Sequence, residues 1–138
     1  MLLPPINGGL SGTNFYMDTV VFTCDVGYDL IGDPSSTCQA DRSWSRNVPS
    51  CSDIDECLNA NGGCDHACTN TAGSFYCSCV AGFTLNEDRF SCDDINECNF
   101  GNGGCQHNCH NVIGSFQCSC MIGYELSADG FACCVCVA

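Results

Sequence analysis

"CSDIDEC", residues 51–57, and "CDDINEC", residues 92–98, are one signature written twice. In each, Asp-Ile-Asp/Asn-Glu runs directly into a cysteine, and the closing cysteines, Cys57 and Cys98, stand 41 positions apart. Charge alone would keep a loop soluble without fixing the order of its residues, so a repeated order asks for a geometric reason. The cysteines repeat with it. Cys57, Cys64, Cys68, Cys77, Cys79 and Cys92 are spaced by 7, 4, 9, 2 and 13 positions, and Cys98, Cys105, Cys109, Cys118, Cys120 and Cys133 by the same intervals. Asn-Gly-Gly precedes the second cysteine of each set. Gly73-Ser74-Phe75 answers Gly114-Ser115-Phe116, and Gly82-Phe83 answers Gly123-Tyr124. The chain therefore contains an internal repeat.

The chain has 138 residues and 17 cysteines. That fraction marks a disulfide scaffold, because a reducing compartment would leave the thiols free or metal-bound. The cysteines are evenly spread and apolar runs are short, so several small stapled units are expected rather than one large core. The formal net charge is −13, with three Arg and no Lys. Nucleic acid and anionic membrane surfaces both require a basic patch, so neither is expected as a partner, whereas cations fit. No apolar stretch reaches the length of a membrane span, so no direct membrane insertion is expected. The opening "MLLPPINGGL" lacks a charged start and a sustained apolar stretch, and does not read as a secretion signal. The expectation is an extracellular chain, secreted or part of an ectodomain, whose signal is absent here and whose parent protein is larger.

"SFYCSC" and "SFQCSC" alternate side-chain character at period two behind a glycine, which signals strands. No window carries a sustained helical stripe. Six cysteines allow fifteen pairings, and spacing alone does not choose among them.

With these cysteines and the acidic signature, residues 53–92 and 94–133 each resemble a calcium-binding EGF-like domain of the fibrillin and fibulin type. The resemblance implies a first-with-third, second-with-fourth, fifth-with-sixth pairing. In the first unit that is Cys57–Cys68, Cys64–Cys77 and Cys79–Cys92. In the second it is Cys98–Cys109, Cys105–Cys118 and Cys120–Cys133. It also implies two Ca²⁺ ions, one per unit. Ca²⁺ takes six to eight oxygens from carboxylates, amides, carbonyls and water. The implied side-chain ligands are Asp53, Glu56 and Asn70, with carbonyls of Ile54, Thr71 and Ser74. The second set is Asp94, Glu97 and Asn111, with carbonyls of Ile95, Val112 and Ser115. Asp55 and Asn96 fall at a variable position and need not touch the ion. The same resemblance implies β-hydroxylation of Asn70 and Asn111. Only Asp93 separates Cys92 from Asp94, so an ion there would lock a short junction. The resemblance further implies that Phe83 packs on Ile113 and Gly114 across it.

Residues 1–51 resemble a sushi, or complement control protein, module. The matching elements are "PPINGG", Cys24, Gly27-Tyr28, Leu30, Gly32, Cys38, Trp44 and Pro49-Ser50-Cys51. This module is incomplete, because the first of the family's four cysteines is missing. The resemblance implies Cys24–Cys51 and leaves Cys38 without a partner, through truncation or loss. Trp44 is expected in the core. The tail, 134–138, belongs to no unit and carries Cys134 and Cys136.

The fold class is thus small, disulfide-rich and mostly β, an elongated array of one sushi module and two EGF-like hairpin domains. No Gly-x-Ser-x-Gly elbow, phosphate-cradling loop or His-Glu-x-x-His is present, so no enzyme is expected. "CQHNCH" has zinc-like residue types, but Cys105 and Cys109 fall in different implied disulfides, and oxidised sulfur is not a thiolate ligand. Receptor-binding growth factors of this type usually carry Arg before the sixth cysteine and Leu after it, a pattern not found here. The function expected is that of calcium-binding structural and interaction modules in a larger matrix or adhesion protein. The alternative is a recognition segment of a complement-type protein or receptor ectodomain. Partners are extracellular proteins of matrix, adhesion or complement type.

Overall fold

The computed structural model describes residues 1–135, which form thirteen short strands and four short 3-10 segments. Strands β1 (Gly8–Ser11), β2 (Thr19–Cys24), β3 (Tyr28–Ile31), β4 (Ser35–Thr37) and β5 (Ser50–Asp53) make up the N-terminal module. The two repeat units follow in one pattern. The first has β6 (Ala67–Thr71), β7 (Ser74–Ser78), β8 (Phe83–Leu85) and β9 (Cys92–Asp94). The second has β10 (Asn108–Val112), β11 (Ser115–Ser119), β12 (Tyr124–Leu126) and β13 (Cys133–Val135). The architecture is small-sheet, disulfide-rich and mostly β. The chain divides into two compact units, residues 1–62 with 68–76, and residues 63–67 with those from 77 onward.

In the first compact unit, β2 lies between β1 and β4, all antiparallel. Its sequence "TVVFTC" alternates, so Val20 and Phe22 point inward and are 0% and 2% exposed. Burying each of them contributes about 1.5–3 kcal/mol. Ser36 on β4 is also buried, and its hydroxyl both donates to the Arg46 carbonyl and accepts from the Arg46 N–H, each at 3.0 Å. The hydroxyl is satisfied as donor and as acceptor, which is why a serine is tolerated there. The Cys24–Cys51 bridge ties β2 to β5. Trp44 is half-buried and makes an isolated β-bridge with Cys38, which forms no disulfide among the described residues.

β3 pairs antiparallel with β5, placing Tyr28 opposite Asp53. Asp53 is therefore the last residue of a sheet built by the N-terminal module. Across the boundary expected between 51 and 53, the chain passes into the repeat without a break in strand structure. The second boundary behaves alike. β8 pairs with β9, placing Phe83 opposite Asp94, so Asp93 is itself strand rather than free linker.

In the repeats the interior is sulfur. Among the described residues, those buried there are the bridged cysteines Cys64, Cys77, Cys105 and Cys133. The structure joins Cys57 to Cys68, Cys64 to Cys77 and Cys79 to Cys92. It joins Cys98 to Cys109, Cys105 to Cys118 and Cys120 to Cys133. The loops closed span 11 or 13 positions, and a bridge over such a loop contributes about 3 kcal/mol by restricting the unfolded chain. With so little apolar burial, these bridges take the place of a core. Cys134 is exposed and forms no disulfide among the described residues, and Cys136 lies outside them.

Candidate functional site

Each acidic signature sits where a strand ends and a 3-10 turn begins. The first turn spans Glu56–Leu58 and the second Glu97–Asn99. At the first, Asp55 caps the turn by accepting from the Cys57 N–H at 3.1 Å. At the second, Asn96 makes no such side-chain bond.

Asp53 reaches across to the β6–β7 hairpin. Its Oδ2 accepts from the Asn70 side-chain amide at 2.8 Å, and its Oδ1 accepts from the Gly73 N–H at 2.5 Å. Asp94 does the same on the β10–β11 hairpin, with Asn111 at 2.7 Å and Gly114 N–H at 2.5 Å. The structure thus brings together Asp53 with Asn70, and Asp94 with Asn111, over a sequence separation of 17 in both cases. The Gly73 amide, and after it the Asn70 side chain, hold Asp53 below the usual carboxylate range. Gly114, then Asn111, do so for Asp94. Both aspartates are therefore ionised at neutral pH. Each carboxylate oxygen has two acceptor positions, so both keep one for a further partner.

The unsatisfied atoms are informative. Glu56 Oε2, Asn70 Oδ1, Asn96 Oδ1 and Glu97 Oε2 are buried with no hydrogen-bond partner among the described residues. Buried acceptors are ordinarily paired, and each exception asks for a cause. In Asn70 the NH₂ group is occupied by Asp53, which leaves the unpartnered oxygen. All four are hard oxygen donors of the kind Ca²⁺ prefers. The residues therefore fit that ion. The sequence pattern makes Asn96 a variable position that need not touch the ion, yet its oxygen is one of these four. The corresponding Asp55 is engaged in capping instead. Asn111 is exposed.

The carbonyl-bearing residues lie at the hairpin tips and just beyond the entering strands. Thr71 and Val112 close the first strand of each hairpin, and Ser74 and Ser115 open the second. The Thr71 hydroxyl donates to the Ser74 carbonyl at 2.8 Å, a bond Val112 has no group to make. The Ile54 N–H donates to the Gly27 carbonyl at 2.9 Å, and the Ile95 N–H to the Gly82 carbonyl at 2.8 Å.

At each hairpin tip a glycine meets an upstream aromatic. Gly114 has φ +77°, and a Cβ there would lie 2.9 Å from Phe83 Cε2. Gly73 has φ +78°, and a Cβ there would lie 2.8 Å from Tyr28 Cε2. Both the left-handed backbone and the ring contact require glycine. Ile113 is 87% exposed, so the close approach to Phe83 is made by Gly114 and not by its neighbour. The Tyr28 contact is not among the expectations drawn from the sequence. The signal for it is the Gly27-Tyr28 pair, which matches Gly82-Phe83 in kind.

Behind Phe83 stands His66, its ring edge-on at 4.7 Å between centroids, with Nδ1 accepting from the Val80 N–H at 3.3 Å. His107 and Tyr124 repeat this at 4.8 Å. His66 lies with Cys79 and Cys92, and His107 with Cys120 and Cys133, their nitrogen and sulfur atoms within 4.8 Å of one another. Both sulfur pairs are disulfides, so they offer no thiolate to a metal.

Comparison with known families and proteins matches the chain module by module. Residues 4–51 match the family model of the sushi repeat (SCR repeat), and residues 94–133 that of the calcium-binding EGF domain. Residues 57–92 match the family model of the coagulation factor Xa inhibitory site, a match that leaves out Asp53 and Glu56. The sushi and EGF families are non-enzymatic modules. Among similar proteins is the mouse (Mus musculus) "Sushi, von Willebrand factor type A, EGF and pentraxin domain-containing protein 1". It is 42% identical over 86 residues, covering 59% of this chain and 2% of that protein. Mouse fibulin-7 is 36% identical over 86 residues, covering 59% of this chain and 19% of fibulin-7. Mouse "Multiple epidermal growth factor-like domains protein 6" is 62% identical over 32 residues, 23% of this chain and 2% of that protein. The chain therefore spans a small part of the length of the relatives it matches. Among the described residues no helix is long and apolar enough to cross a membrane.

Proposed function

The chain carries a sushi repeat followed by two EGF-like units, of which the second is a calcium-binding EGF domain, and from this premise we propose that it is a calcium-organised interaction segment of an extracellular protein. Each EGF-like unit takes one Ca²⁺, and the ion fixes the unit against the module before it. Asp53, Glu56 and Asn70, with carbonyls of Ile54, Thr71 and Ser74, hold the first ion. Asp94, Glu97 and Asn111, with carbonyls of Ile95, Val112 and Ser115, hold the second. The observation that carries this reading is the set of buried, unpartnered oxygens on Glu56, Asn70 and Glu97. A divalent cation supplies what these atoms lack.

The junction follows from strand geometry. Asp94 belongs by its backbone to the β8–β9 sheet and by its side chain to the next hairpin. An ion drawing in Glu97 and Asn111 ties both modules to that residue. Asn70 and Asn111 are the proposed hydroxylation sites, to be read by mass spectrometry of secreted material. The partners are other extracellular proteins of matrix, adhesion or complement type.

Extracellular modules of this kind bind Ca²⁺ at about 10⁻⁴–10⁻³ M. At about ten times the Kd, binding adds ~1.4 kcal/mol to stability. Calorimetric titration of the oxidised protein is expected to count two ions. Uptake of none would overturn the proposal, and uptake of one would restrict it to the unit whose amides respond.

A further inference from the structure

The first ligand set is built by two kinds of module. Three residues close a ring of contacts around it, each contact of a different type. Tyr28 faces Asp53 in the β3–β5 register. The Asp53 carboxylate accepts from the Gly73 N–H. Gly73 in turn lies against the Tyr28 ring, within 2.8 Å of Cε2 from where its Cβ would stand. The Gly27 carbonyl adds a fourth link by holding the Ile54 N–H at 2.9 Å. Asp53 cannot shift without disturbing the ring on Gly73, and Gly73 cannot shift without releasing Asp53.

We infer that Tyr28, a residue of the sushi repeat, is a positioning residue for the first calcium set. Its ring seats Gly73 and so fixes the Asp53 carboxylate and the Asn70 amide that Asp53 orients. The same ring of contacts exists at Phe83, Asp94 and Gly114, where the aromatic comes from an EGF-like unit instead. A sushi module thus supplies the part that an EGF-like unit supplies one step later. Val20 and Phe22 are the buried residues of the sushi sheet, whereas Tyr28 is half-buried. Physically, Tyr28 lowers the ordering cost of binding, because a ligand already held in place loses less freedom when the ion arrives. This inference rests on the calcium reading above.

The test follows each site separately through the side-chain amides of Asn70 and Asn111 during Ca²⁺ titration by NMR. Tyr28→Ala is expected to weaken the first site about three- to tenfold and leave the second unchanged. Tyr28→Phe keeps the ring and is expected to bind like wild type. In calcium-free protein, the Gly73 protons are expected to carry a ring-current shift in wild type and Tyr28→Phe that Tyr28→Ala loses. Should Tyr28→Ala disturb Val20 and Phe22, Tyr28→Leu keeps an apolar side chain there without the ring and is expected to weaken the first ion alone. Unchanged first-site affinity in these variants would overturn the inference while leaving the calcium reading intact. If wild type takes no calcium at the first site, that reading falls. Gly73 shifts that are the same with and without the Tyr28 ring would then overturn the positioning role as well.

Discussion

Glu97 is the sharpest single test of the second ligand set. Its Oε2 is buried and unpartnered, and it stands at the start of a turn pinned by the Cys98–Cys109 bridge. Glu97→Lys puts an ammonium where the proposed site has an oxygen donor. The expected outcome is loss of one ion from the calorimetric count, with the disulfides of that unit still formed and the first site nearly intact. A second residue reports on pH. Asp129 accepts from the Ala132 and Phe131 N–H groups and from the Ser127 hydroxyl, which lowers its carboxyl from the ordinary 3.8 to about 2. A depressed folded-state value means the contribution is present above the ordinary value and lost as pH falls toward 2. NMR titration is expected to show its midpoint near 2, and Asp129→Asn is expected to lessen the stability difference between pH 5 and pH 2. A midpoint at the ordinary value would mean that the turn does not hold in solution.

At the scale of elements, the hairpin tips carry the most information. Gly114 sits between a left-handed backbone and the Phe83 ring. Gly114→Ala is expected to destabilise the second EGF-like unit by more than about 1 kcal/mol, since alanine is strained at positive φ. Chemical denaturation in saturating calcium measures this, and wild-type stability would contradict the geometry. These tips also show what is legible in the sequence. "SFYCSC" and "SFQCSC" read as strands because a glycine and a period-two pattern frame them, and they form β7 and β11 with the cysteines that follow. The repeat itself is legible because cysteine spacing is rigid. Tyr28 is not, because the repeat alignment begins at residue 53 and the residue belongs to a different module. Asn96 escapes notice because Asp and Asn read alike at a variable position. Only the structure separates a capping Asp55 from an Asn96 whose oxygen is buried without a partner. Ile113 is apolar and adjacent to the tip, but the turn that brings Gly114 to Phe83 leaves Ile113 in solvent.

For the molecule as a whole, seven bridges among the described residues set the modules, and calcium is proposed to set the joints. The two roles separate experimentally, since chelation removes the ion and leaves every bridge. Phe83→Ala is expected to weaken the second ion several-fold without removing a ligand, because the ring on Gly114 holds Asp94 in place. Equal affinity in site-resolved titration would show that the packing does not support the site. The most direct measurement is limited proteolysis with amide hydrogen exchange across residues 92–98, with calcium and after chelation, under oxidising conditions. Mobile connectors are where nicking and exchange concentrate. Chelation is expected to open "CDDINEC" to cleavage and fast exchange while the β10–β11 hairpin stays protected by its bridges. An identical pattern with and without calcium would contradict a calcium-set joint, and would leave the junction held by strand pairing and the Phe83 contact alone.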